Sequence, residues 1–140
     1  VAGELLLDTG GLISLLDRSQ IRHAACVKTF EGWKRPVLTT EAVITEATHL
    51  LARQSGGVST VLRFVIEGGA VVVPGSLDAL VRAEELVRRY ADLPLDYADA
   101  TLVVLAEDAR TGHILTLDVR DFSTVRWGKN RVFHIHPARG

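Results

Sequence analysis

Methionine is absent from all 140 positions, and cysteine occurs once, at Cys26. A lone cysteine permits no intrachain disulfide and excludes a cysteine-rich zinc site. Nothing here calls for an oxidising compartment, so a reducing, cytoplasmic setting is the expectation. The missing methionine at position 1 implies an unusual start or loss of the first residue. The opening Val1-Ala2-Gly3-Glu4 lacks the basic-then-apolar layout of a signal peptide. No apolar run approaches the ~20 residues that a spanning helix needs, so no membrane partner is expected. Also missing are the glycine patterns that cradle phosphates, Gly-x-x-x-x-Gly-Lys and Gly-x-Gly-x-x-Gly. An excess of one charge is lacking too, since the formal net charge is -1. That argues against a surface that is a nucleic-acid footprint throughout. It leaves room for a local basic face beside an acidic site.

What is present is enough apolar material for a real core: 47% of residues are hydrophobic and 24% charged. The length suits a single domain over residues 1–140. No repeat, linker or low-complexity tract interrupts it.

Leu5-Leu6-Leu7 reads as a buried strand ending in Asp8. Gly10-Gly11 then turn the chain into a helical pattern of Leu12, Ile13, Leu15 and Leu16, and a second helix is predicted over residues 20–33. Val37-Leu38 is a brief strand, and Thr39 or Thr40 can cap the next helix. In that helix Val43, Ala47, Leu50 and Leu51 share one face. Residues 58–67 predict a further helix with Val61, Leu62, Val65 and Ile66 buried. The β-branched run 70–73 between Gly69 and Pro74 predicts a strand. Ser76 and Asp96 can cap helices over 77–90 and 97–110, followed by strands over 113–117 and 131–135. Alternation of strands and helices predicts an α/β fold: a central, mostly parallel sheet with helices on both faces.

In open α/β sheets, ligands bind outside the carboxyl ends of the strands. Asp8 and Asp118 each follow an apolar strand, and they meet if those strands are neighbours. Asp99 lies in the first turn of a helix, where negative charge is favoured. Glu46 has Val43 and Leu50 as its apolar neighbours, so its base lies along the expected buried stripe. Carboxylates that converge repel one another by about 4 kcal/mol at ~4 Å and an effective dielectric of about 20. A cation relieves this, and oxygen-only ligands select hard ions such as Mg²⁺ or Mn²⁺. Such an ion lowers the pKa of a bound water and stabilises charge on phosphoryl oxygens, so phosphodiester hydrolysis is the natural reaction class.

Four stretches carry a resemblance: Leu6-Leu7-Asp8-Thr9; Thr45-Glu46-Ala47; Leu95-Asp96-Tyr97-Ala98-Asp99-Ala100 leading into residues 102–106; and Leu115-Thr116-Leu117-Asp118-Val119-Arg120-Asp121-Phe122. In this order and at these separations they resemble a PIN domain, in particular a VapC-type toxin ribonuclease, over nearly the whole chain. The resemblance implies a Rossmann-like, three-layer α/β/α fold. It implies a Mg²⁺- or Mn²⁺-dependent endoribonuclease with Asp8, Glu46, Asp99 and Asp118 as its acidic quartet. Asp8 and Asp99 would be the leading metal ligands, and Asp118 would complete the site or bind a second ion. Glu46 would bind metal or orient water, and Thr9 and Thr116 would support the site by hydrogen bonds. An RNA substrate, a small cognate antitoxin protein and a homodimer are the implied partners.

Other readings stay open at this level. Asp96 reads first as a helix cap, and Asp121 as either a local turn former or a supporting acid. His134 and His136 share one strand face, and a surface role suits them better than a metal; His49 and His113 read as structural or exposed. Arg120, Arg126, Lys129 and Arg131 form either a phosphate-holding face or a solvated charge cluster. The alternative functions are an RNA-processing nuclease without an antitoxin and a receiver-like Mg²⁺-binding signalling domain. The absence of lysine between Arg35 and Lys129 weakens the receiver reading. A small upstream reading frame encoding a DNA-binding head and flexible tail would favour the toxin.

Overall fold

Three consecutive leucines form the first strand, β1 (Leu5–Leu7), and all three are fully buried. A strand covered on both faces carries no polar alternation, which is why this run reads as continuous apolar sequence. The computed structural model describes residues 3–138; Val1 and Ala2, read above for a leader, lie outside the described residues, as do Arg139 and Gly140. Four more strands follow: β2 (Val37–Thr39), β3 (Val71–Val72), β4 (His113–Leu115) and β5 (His134–His136). Their order across the sheet is β3-β2-β1-β4-β5, and every pair is parallel. Leu6 stands opposite Leu38 on one side and Ile114 on the other.

Among the described residues seven helices flank this sheet. They are α1 (Thr9–Leu16), α2 (His23–Gly32), α3 (Glu41–Leu51), α4 (Gly57–Ile66), α5 (Leu77–Arg89), α6 (Tyr97–Ala109) and α7 (Val119–Thr124). From β1 the chain runs outward to β2 and β3, then crosses back to β4 and outward again to β5. The direction therefore reverses between β1 and β4. Such a switch point leaves a crevice at the strand carboxyl ends, and Asp8 and Asp118 stand at its two sides. Helix α6 is buried almost all round, from Ala98 to Ala106, with α3 and α5 packed against it. It brings Asp99 to the same crevice.

Helix α1 must lie very close to the sheet. A Cβ on Gly11 would fall 2.4 Å from the Leu115 carbonyl oxygen, a contact only backbone movement could relieve. Gly10 and Gly11 thus lie inside the helix, which starts at Thr9, rather than in a turn ahead of it. Gly11→Ala is expected to destabilise the protein by about 1–3 kcal/mol, the usual cost of forcing extra volume into a packed site. Chemical denaturation read by circular dichroism measures this. Unchanged stability would mean that α1 does not press on β4.

Several elements differ from expectation for local reasons. Helix α2 begins at His23 rather than residue 20 because Asp17 diverts the preceding segment. Its carboxylate accepts hydrogen bonds from the Ser19 backbone N–H, the Ser19 hydroxyl and the Gln20 side-chain amide. Leu50, Leu62 and Ile66 are exposed, against the expectation of burial. In α3 and α4 the covered side is Val43, Ala47, Leu51 and Val61, all four as expected, with Phe64 half-buried against Phe30. The expected apolar stripe of α4 is therefore split, with Val61 buried and Val65 half-buried but Leu62 and Ile66 turned outward. Strand β3 is only two residues long and sits at the sheet edge, with Val71 exposed. Strand β4 ends at Leu115, two residues early, where the chain turns toward Asp118 and enters α7. Strand β5 starts late because a Trp127–Arg131 bridge, turned through Gly128 and Asn130 with positive φ, occupies the segment before it.

His113, His134 and His136 lie together, with ring centroids 5.1 and 5.2 Å from His113. His49 and His134 are exposed. His136 is half-buried against the Trp33 ring edge, with its Nε2 3.0 Å from His113 Nδ1. Burial and the neighbouring imidazoles hold His136 below the usual histidine pKa. Among the described residues, three histidines do not converge as a ligand set.

Candidate active site

Asp8 is the hinge between β1 and α1. It is the N-cap of α1, with Oδ1 accepting the Thr9 backbone N–H at 2.7 Å. Oδ2 accepts the Thr116 hydroxyl at 2.6 Å, tying the ends of β1 and β4 together. The same Thr116 hydroxyl accepts the Asp118 backbone N–H at 2.9 Å. Thr116 thus supports the site as expected. Thr9 supports it through its backbone, while its own hydroxyl is buried with no hydrogen-bond partner among the described residues.

Asp8, Asp99, Asp118 and Asp121 each enter at a helix start, whereas Glu46 lies in the middle of α3. Asp96 caps α6 by accepting the Asp99 N–H at 2.8 Å, which confirms its structural role and aims the first turn. Asp118 caps α7 in the same way, accepting the Asp121 N–H at 3.0 Å. One carboxylate oxygen each from Asp99, Asp118 and Asp121 lies within 4.8 Å of the others. Asp121, left between two roles by the sequence, is therefore a full member of the cluster. Helix α7 puts it there, and six residues with one buried apolar side chain, Phe122, give no periodicity by which the sequence could announce that helix.

The electrostatics follow from this crowding. Burial pushes the Asp8 carboxyl up to about 6, against the lowering effect of its Thr116 and Thr9 hydrogen bonds, and the charges of Asp118 and Glu46 add to the rise. Asp99 is pushed up to about 9 by burial, then by Asp8, Asp96, Asp118 and Asp121. Asp121 is raised by burial and by its contact with Asp118, while Arg120 pulls it down. Glu46 is half-buried on α3, and its charge is felt at Asp8, but it is not one of the three acids in mutual contact. Its expected neighbour Leu50 points outward, so Glu46 borders an open hollow rather than the core. Asp8 also stands beside the trio, held by Thr116 and Thr9.

Of the four basic residues near the chain end, one remains at the site. Arg120 reaches the Leu93 carbonyl at 3.2 Å and acts on Asp121. Arg126 spends its guanidinium on the carbonyls of Ser123, Thr124 and Val125 at the end of α7. Arg131 lies over the Trp127 ring, and Lys129 is exposed.

The donor set suits a divalent ion. Three carboxylates, all oxygen donors and close enough to share one charge, match the preferences of a hard cation, and Asp99 and Asp121 among them have raised proton affinity. Clustering of such perturbed acids in a crevice is itself a sign of a functional site.

Comparison with known proteins agrees with this geometry. The chain is 31% identical over 124 residues to Ribonuclease VapC26 of Mycobacterium tuberculosis, covering 87% of this chain and 92% of that protein. Its fold matches the crystal structure of VapC20 of M. tuberculosis, described as a sarcin-ricin loop cleaving toxin, with a TM-score of 0.80 at 20% identity. That match covers 91% of this chain and 98% of the other. It also matches VapBC2 of Rickettsia felis bound to a promoter DNA fragment, with a TM-score of 0.67 at 10% identity over 94% and 98% of the two chains. Residues 5–128, from the first strand through the acid-bearing α7 and beyond, match the PIN domain, and the chain belongs to that family.

Proposed function

We propose that this protein is a Mg²⁺- or Mn²⁺-dependent endoribonuclease, the toxin of a VapBC-type pair, folded as one domain and working in the cytoplasm. The observation that carries this reading is the meeting of Asp99, Asp118 and Asp121 beside Asp8 at the switch point of the sheet. Asp8, Asp99 and Asp118 would hold the ion, with Asp121 as a further ligand. Asp8, fixed by Thr116 and Thr9, sets the charge and the orientation of the crevice floor. Glu46 faces the open side, where it accepts a proton from the attacking water or orients it. When bound, the ion supplies charge neutralisation for the phosphoryl oxygens and the acids alike. Arg120, on the flank of the cluster, holds the neighbouring phosphate.

Two exposed apolar stripes suit the protein partners. Val58, Leu62 and Ile66 line the outer face of α4, and Leu77, Leu80 and Val81 line α5. Contiguous apolar surface of this kind marks interaction sites. We assign one stripe to an antitoxin and the other to a second copy of the chain. No helix among the described residues is long and apolar enough to cross a membrane.

The direct test is cleavage of a labelled RNA. EDTA is expected to stop it, and added Mg²⁺ or Mn²⁺ to restore it. Cleavage that persists in EDTA would remove the metal from the reaction.

A further inference from the structure

Beside the acid cluster lies an open hollow of about 550 Å³. Ala42 and Ala98 help form it, Thr45, Glu46 and His49 come from α3, and Tyr97 comes from the start of α6. Tyr97 is two positions ahead of Asp99 and is 53% exposed. The chain's other tyrosine, Tyr90, is half-buried, and its hydroxyl accepts the Arg126 backbone N–H. Tyr97 makes no hydrogen bond or ring contact with the other described residues. The fold thus places an aromatic ring with no polar or ring partner in the hollow that Glu46 borders.

Charge decides which part of an RNA can sit there. Glu46 and Asp96 border the hollow, and nothing cationic among its lining residues offsets them except His49 when protonated. A phosphate is repelled from such a place. A nucleobase is neutral, has two apolar faces, and carries edge groups that Thr45, Glu46 and His49 can meet. The phosphate side of the crevice lies instead with Arg120, which acts on Asp121 from α7.

We propose that Tyr97 is a stacking shelf for one splayed-out nucleobase of the substrate, next to the scissile phosphate. The substrate class is then single-stranded or loop RNA, because a base held in a duplex cannot leave its stack to reach the ring. This inference rests on the ribonuclease reading above. Stacking of a base on an aromatic side chain contributes about 1–3 kcal/mol, which corresponds to roughly 5- to 150-fold in affinity.

The test combines Tyr97→Ala, Tyr97→Phe and Tyr97→Trp with a short single-stranded RNA, and with the same RNA lacking the base beside the cut. Tyr97→Ala is expected to raise KM by roughly 10-fold with kcat little changed. Phe and Trp should rescue it, since either presents an aromatic face. On the abasic RNA, wild type and Tyr97→Ala should become equal. Binding is read in parallel by fluorescence anisotropy of the intact RNA, with and without the alanine change, in an Asp99→Asn background. Equal KM and equal binding for wild type and Tyr97→Ala would overturn the shelf. So would failure of Phe to rescue, which would assign the role to the hydroxyl, or a change of mass by light scattering in Tyr97→Ala, which would assign the ring to a protein contact. Tyr97-dependent RNA binding without any cleavage by wild type would instead overturn the nuclease reading and leave the shelf standing.

Discussion

Asp99→Asn lowers RNA cleavage on the order of 10²–10³-fold and at the same time raises the melting temperature of the metal-free protein. The loss is the size expected when one preorganised electrostatic group is removed from a reacting centre. The gain in stability follows from the crowding. Burial and the charges of Asp8, Asp96, Asp118 and Asp121 push Asp99 up to about 9. Near neutral pH the metal-free wild type must therefore take up a proton at Asp99 on folding or tolerate one more buried charge. Asparagine avoids both. A gain of about 1 kcal/mol moves the melting temperature of a domain of this size by about 2–4 °C. A variant that was inactive because it folded badly would melt lower, so the sign of the shift separates the two causes. Full activity, or a lower metal-free melting temperature, would take Asp99 out of the site.

The metal-free wild type is also expected to lose stability as pH rises. Asp8 has a folded pKa of about 6 against a reference of 3.8. Between those values the folded state binds more protons than the unfolded state, so stability is highest at the acid end and falls through the window. The difference corresponds to about 3 kcal/mol. Asp99 extends the decline toward about 9. Groups with depressed pKa act elsewhere: Asp17, held down to about 2 by Ser19 and Gln20, contributes stability that is lost only in stronger acid. His136, held low by burial, works in the opposite direction, since it favours folding above the ordinary histidine pKa and loses that contribution as pH falls. The carboxylates outweigh it in shift and in number. Thermal melts in EDTA from about pH 5 to about pH 9 should therefore decline. Saturating Mg²⁺ should lift and flatten the curve, because it binds the ionised acids; at one hundred times its Kd an ion adds about 2.7 kcal/mol. Greater stability at the alkaline end in EDTA would contradict the buried acid cluster.

Much of this arrangement was legible because parallel sheets write themselves plainly. Leu5-Leu6-Leu7 could only be a strand buried on both faces, and an acid at its carboxyl end is where ligands bind. Helix α6 announced itself by the Asp96 cap and an unbroken apolar run, which placed Asp99 in its first turn. Three features are not written in local pattern. Periodicity finds an apolar stripe but not what covers it, so Leu62 and Ile66 of α4 read as core and Leu50 as a buried neighbour of Glu46. The bond from Thr116 to Asp8 spans 108 positions, and the expectation that Thr116 supports the site came from the family resemblance rather than from any local pattern. Asp121 joined the cluster through a helix too short to show a period.

The central pairing of β1 with β4 governs when the crevice comes into existence. Asp8 is synthesised 108 residues ahead of Thr116, and Asp118 and Asp121 follow later still. A nascent chain holds one half of the pocket and must wait for the other. A fragment cut short before the fourth strand carries Asp8 and Asp99 without Asp118 and Asp121, and it is expected to be inactive toward RNA.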